Sequence, residues 1–168
     1  MKKVFVILAI CFIAVMPAKA QSVGYVDTEK ILSCIQEYQD AQNELNTLAE
    51  KYKADIQKDV DAIDNLYRDY MSKKASLSAA QQQAKENEII SKEKAVKEKE
   101  ESYFGEKGVL TKRSEKLISP IQEVVEEAIQ KVAESRGCSM VLDLTVTTGI
   151  VYKNPKYDLT NAVIDYLR

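Results

Sequence analysis

The chain has 168 residues with 24 Lys and Arg against 26 Asp and Glu, a net charge of −2, and contains neither His nor Trp. The missing basic footprint argues against general nucleic-acid binding. The missing histidine removes Ser–His and Cys–His nucleophile pairs, His-ligated zinc and the usual general base.

The N-terminus opens with a basic head, Met1-Lys2-Lys3, followed by 13 apolar residues from Val4 to Met16. Pro17 breaks the run and Ala18-Lys19-Ala20 supplies an A-x-A site. This order predicts a secretory signal peptide over residues 1–20, cleaved after Ala20. The run is shorter than the roughly 20 residues a membrane span needs. Cys11 is a poor lipid-anchor site, because Ile10 rather than a small residue precedes it. Export removes Lys2, Lys3 and Lys19, leaving 21 basic residues against 26 acidic. Only Cys34 and Cys138 then remain. Those two are too few for a disulfide-built scaffold or an all-cysteine zinc site.

Ser22 to Asp27 reads as a short strand closed by a helix cap at Asp27 and Thr28. Ile31, Leu32 and Ile35 give the apolar face of a short helix after it.

From Gln36 the chain becomes highly charged and nearly free of Gly and Pro. Tyr38, Ala41, Leu45, Leu48, Tyr52, Ile56, Val60, Ile63, Tyr67 and Tyr70 recur every 3.56 residues, nine steps over 32 residues. That lies between the heptad and free-helix periods. It is one narrow apolar stripe, roughly 50 Å long at 1.5 Å per residue. Such a stripe suits one partner helix rather than a broad core. The stripe stops near Ser72 to Ser78, where Ser78 and Gln81 have capping-box spacing. A second helical arm is predicted from Ala79 to Ile118, antiparallel to the first. One unbroken helix, paired to another chain along its length, is the competing reading. Gly105 and Gly108 lie inside the second arm, as an elbow or as a tolerated local defect.

Ser119-Pro120 reads as a cap and first residue of a new helix with a wider apolar face: Ile121, Val124, Val125, Ala128, Ile129 and Val132. Gly137 ends it. Met140 to Leu144 is predicted as a second strand and Gly149 to Tyr152 as a third. Asn154-Pro155 makes a turn, and Asp158 caps a last helix from Leu159 to Leu167.

The expected fold is mostly α with a small β part. Residues 21–35 and 119–168 form a small α/β body, and residues 36–118 form a helical hairpin inserted in it. So small a body is marginal alone and leaves sheet edges open, which predicts self-association. Val23, Tyr25, Val26, Met140, Val141, Leu142, Ile150 and Val151 are the candidate assembly residues.

The order of these motifs resembles the periplasmic Skp/OmpH chaperone family. The matching residues are Val23-Gly24-Tyr25-Val26-Asp27, Ser119-Pro120-Ile121, Ala128-Ile129, Val132-Ala133, Gly137, Val141-Leu142-Asp143, Val151-Tyr152, Pro155, Asp158-Leu159-Thr160 and Val163-Ile164. Between the two ends only length, polarity and helical character match. The resemblance implies a homotrimer with a small β-rich body and three helical hairpins around a cavity. It implies that unfolded outer-membrane proteins are held there without ATP, with no catalytic residue and no cofactor. One departure is charge. The family's well-known members are basic, whereas residues 36–70 here carry 9 acids and 4 bases. Residues 71–99 carry 7 lysines and 4 glutamates, so only the distal end is basic.

Candidate client-contact residues are Tyr52, Tyr67, Tyr70, Met71, Lys73, Lys74, Leu77 and Lys85. The seam tyrosines either pack against the second arm or present amphipathic rings to unfolded chains. Asp59, Asp61 and Asp64 lack the glycine and closing glutamate of a calcium loop and read as a solvated helix face. Cys34 and Cys138 either form one disulfide or remain two buried thiols. A structural adaptor that docks its hairpin to an envelope partner is the alternative function. Membrane contact is expected to be at most weak and peripheral, because the exposed charge is small and screened by salt.

Overall fold

The computed structural model describes residues 22–168. The expected signal segment and its cleavage site lie outside the described residues. Element order is β1 (Ser22–Val26), α1 (Thr28–Ser33), α2 (Gln36–Lys73), a 3-10 turn (Lys74–Ser76), α3 (Ala79–Phe104), α4 (Val109–Ser135), β2 (Cys138–Asp143), a second 3-10 turn (Pro155–Tyr157) and α5 (Thr160–Tyr166). The fold is mostly helical with a small sheet. It divides into two compact units: the described residues up to Thr28 together with Ala128–Arg168, and Glu29–Glu127.

In the first unit β1 and β2 pair in parallel, with Val23 opposite Met140, Tyr25 opposite Leu142 and Val26 opposite Asp143. Gly137 turns the chain from α4 into β2 at φ +65°, a conformation that favours glycine. Val26 and Val163 are almost completely buried, as are Ala128, Val132 and Leu159. Burying a valine side chain contributes about 1.5–3 kcal/mol. Asp143 organises the end of the sheet. It accepts from Thr28 Oγ1 at 2.7 Å and from the Thr145 N–H at 3.0 Å. Burial pushes its carboxyl up, but the bonds from Thr28 and Thr145 outweigh this and hold it below the usual range. α5 starts one residue later than expected, with Leu159 rather than Asp158 at its N-cap position, and Asp158 accepts from the Thr160 N–H at 2.9 Å from just outside the helix. The Thr160 hydroxyl in turn accepts from the Asp27 N–H at 3.0 Å, so this buried polar group is satisfied.

The expected third strand, Gly149 to Tyr152, is absent: these residues form no regular element. A strand needs a ladder partner. The open edge of β1 is engaged instead by the Tyr25–Asp158 bridge and by the Leu159 N–H donating to the Tyr25 carbonyl. Val151 is left fully exposed, and Ile150 partly so.

The second unit contains the hairpin. α2 runs without interruption for 38 residues. Ser78 and Gln81 form the full capping box at the start of α3, so two otherwise unpaired N–H groups are satisfied. The second arm is not continuous, however. It breaks at Gly105–Gly108, not at Ser119–Pro120. A Cβ at Gly108 would lie 2.7 Å from the Tyr103 carbonyl oxygen, and one at Gly105 would lie 2.5 Å from the Glu101 carbonyl oxygen. Close backbone approach therefore demands glycine at both positions. α4 then starts at Val109 and carries Pro120 in its interior. Pro120 is exposed, so water can satisfy the carbonyl its ring leaves unpaired.

Candidate functional site

Apolar packing along the hairpin is uneven. Near its base Ala41, Leu45 and Ile118 form a buried cluster, flanked by Tyr38, Leu110, Leu117 and Ile121. Toward the tip Tyr70 and Ile89 are buried. Between Leu45 and Tyr70 no side chain of α2 is fully buried. Over that stretch the apolar seam is at most half-buried, and polar and aromatic ties add to it.

Three ties cross the seam. At the base, Arg113 Nε and Nη2 converge on one Glu44 oxygen at 2.6 and 2.5 Å. Midway, Lys99 Nζ bridges Asp55 at 2.6 Å and Asp59 at 2.7 Å. Tyr103 donates to the same Asp55 carboxylate at 2.9 Å and stacks on Tyr52. Hydrogen bonds from Lys99 and Tyr103 hold the Asp55 carboxyl below its usual range, and the two aspartates hold Lys99 above its own. At the tip, Tyr70 donates to Glu86 at 2.5 Å, and Lys74 lies 3.5 Å from the same oxygen. The Tyr70 hydroxyl lowers Glu86, and Glu86 raises Tyr70.

These ties sort the candidate residues. Tyr52 and Tyr70 are turned into the hairpin. Lys74 pairs with Glu86, Lys73 with Asp69 and Lys85 with Glu88. Leu77 is half-buried. Tyr67 and Met71 remain free of such ties and are 51% and 50% exposed. Ile90, on α3, is 60% exposed and joins them as an exposed apolar side chain. The bridging role of Lys99 and the Glu44–Arg113 pair also escaped sequence reasoning. A signal was present in Asp55 and Asp59, which share a helix face by their spacing of four.

In the first unit Tyr25 and Val26 are buried, and Val141 and Leu142 are half-buried. Val23 and Met140, opposite each other in the sheet, are 44% and 57% exposed. With Ile150 and Val151 they leave an open apolar surface on a small unit. Cys34 and Cys138 are both free thiols, and Cys34 is exposed rather than buried. Among the described residues no group of acidic or thiol side chains could hold a metal ion. Nor, among them, is any helix long and apolar enough to cross a membrane.

A crystal structure of a candidate OmpH-like outer membrane chaperone from Caulobacter crescentus is similar to this fold. Its TM-score is 0.63 at 20% identity, and the likeness covers 88% of this chain and 84% of that one. At that identity the likeness is one of fold. No curated protein matches the sequence. The family described as outer membrane protein (OmpH-like) matches residues 22–167, nearly all of the described chain. On that match, this chain belongs to the OmpH-like family.

Proposed function

We propose that this protein is an ATP-independent holdase of the periplasm. It binds unfolded outer-membrane proteins through its helical hairpins and keeps them from aggregating. The single observation that carries this reading is the hairpin itself. It is a long helical pair joined by polar and aromatic ties, with large apolar side chains left exposed near its tip. Weak, repeated apolar contacts of this kind suit a chain that must be held and then released. The second part of the proposal is a homotrimer. The exposed Val23, Met140, Ile150 and Val151 give the first unit an apolar surface to bury against other copies. The experiment is a client-holding assay. An unfolded outer-membrane β-barrel is diluted from denaturant with and without the protein, in the absence of ATP and in the presence of a chelator. Turbidity should be suppressed at near-stoichiometric protein. A requirement for nucleotide or metal would overturn the reading.

A further inference from the structure

The two flanks of the hairpin differ. On one, a groove of about 230 Å³ is lined by the Lys99–Asp59 ion pair, with Lys92 beside it. On the other, a groove of about 440 Å³ has an apolar floor of Val60, Ile63 and Val96. Its rim carries Asp64, Glu93 and Glu100 against one cation, Lys97. None of the three carboxylates forms an ion pair among the described residues.

This second groove continues toward the tip. Val60, Asp64, Tyr67 and Met71 follow one another at helical spacings of three and four along α2, so they share a face. Glu100, Lys97, Glu93 and Ile90 do the same along α3. Tyr70 meets Glu86 and Asp59 meets Lys99, which brings Tyr67 level with Ile90. The exposed rings and chains of Tyr67, Met71 and Ile90 therefore extend the apolar floor.

We infer that this flank is the client-contact face of the hairpin, and that it selects unfolded apolar segments flanked by basic residues. The inference rests on the holdase reading and deepens it. Two observations choose the occupant. The rim has three carboxylates to one ammonium group, which complements lysine and arginine and repels acidic segments. The exposed apolar side chains of this extension are three, Tyr67, Met71 and Ile90, well short of the roughly 20–30 residues a side of a stable interface. A second folded copy would be held poorly by so small a patch. A single aromatic or aliphatic side chain of an unfolded chain would fill it.

The test uses the full assembled protein and two dye-labelled peptides with one apolar-aromatic core, flanked by lysine in one and by glutamate in the other. Anisotropy titration at low salt should show the lysine-flanked peptide binding about tenfold tighter, with the preference shrinking as salt rises. The D64N/E93Q/E100Q variant should lose the preference while keeping its helicity. The Y67S/I90S variant should weaken both peptides with unchanged assembled mass. Equal binding of the two peptides by a protein that still holds clients would overturn this inference alone. A wild-type protein that holds no client would remove the holdase reading as well. A fall in assembled mass for Y67S/I90S would make this flank a contact between copies and overturn the assignment.

Discussion

Tyr52 and Tyr103 stack across the hairpin with ring centroids 4.0 Å apart and planes 12° from parallel. Phe104 meets the Tyr52 ring edge-on at 6.3 Å. This aromatic knot sits where the apolar seam is thin, one residue before the break that starts at Gly105. Tyr52→Leu keeps much of the apolar volume and removes the stacking geometry. It should cost about 0.5–1.5 kcal/mol, read as a lower thermal midpoint with unchanged helicity at 25 °C. An unchanged midpoint would mean that the stack adds nothing beyond apolar contact.

The glycine break gives a prediction of sign. At an ordinary helical site, replacing glycine with alanine stabilises by about 1 kcal/mol. Here a Cβ at Gly108 would press on the backbone oxygens of Tyr103 and Gly105 at 2.7 and 2.9 Å. Gly108→Ala should therefore destabilise, by roughly 1 kcal/mol or more. Denaturant melts decide it. A stabilised variant would mean that α3 and α4 can fuse into one helix.

Asp55 and Glu86 are both held below the usual carboxylate range by partners across the hairpin. A depressed folded pKa contributes stability that is present above the unfolded value, near pH 4, and is lost as pH falls through the folded value. Lys99 is raised, so its contribution is present below its unfolded value of about 10.4 and is lost as pH climbs through the folded one. Hairpin stability should be flat from about pH 5 to pH 10 and fall on both sides. Asp55→Asn should lower the plateau and shrink the acid-side loss. Thermal midpoints across pH check this, and an acid limb identical to wild type would remove Asp55 from the account.

Much of this fold is legible in the sequence because local chemistry announces it. Ser78 and Gln81 mark the hairpin turn, Gly137 ends the long helix and Asp158 bonds the first N–H of the last one, each through a contact that depends on neighbouring residues alone. The errors lie where a partner decides. Gly149 to Tyr152 has strand composition, yet a strand exists only where an edge is open to it, and β1 spends its edge on Asp158 and Leu159. Pro120 has the look of a helix start, but the close approaches at Gly105 and Gly108 place that start eleven residues earlier, at Val109. Tyr67 and Tyr70 look equivalent in the periodic stripe. Only the position of α3 separates the buried ring bonded to Glu86 from the exposed one.

The first unit offers a contrast between folding and assembly. Val26 is 1% exposed and Val151 is 100% exposed. Val26→Asp should unfold the unit, since an unpaired buried charge costs several kcal/mol. Val151→Asp should leave the chain's secondary structure intact and reduce the assembled mass seen by light scattering. A V151D protein of wild-type mass would remove Val151 from the proposed contact between copies.

The central claim is that the hairpin holds clients, and it is tested most directly by removing the hairpin's distal part. Deleting Lys53 to Lys107 and joining the ends through a short Gly/Ser linker of about six residues spares the Ala41, Leu45 and Ile118 cluster and the Glu44–Arg113 pair. It removes the Lys99 bridge, the Tyr70–Glu86 bond and the whole Tyr67, Met71 and Ile90 surface. Turbidity of a diluted unfolded outer-membrane β-barrel is then compared for the two proteins at equal molar concentration of subunits. The expected result is protection by the full chain and none by the shortened one. Full protection by the shortened protein would contradict the claim and place client binding outside the hairpin's distal part.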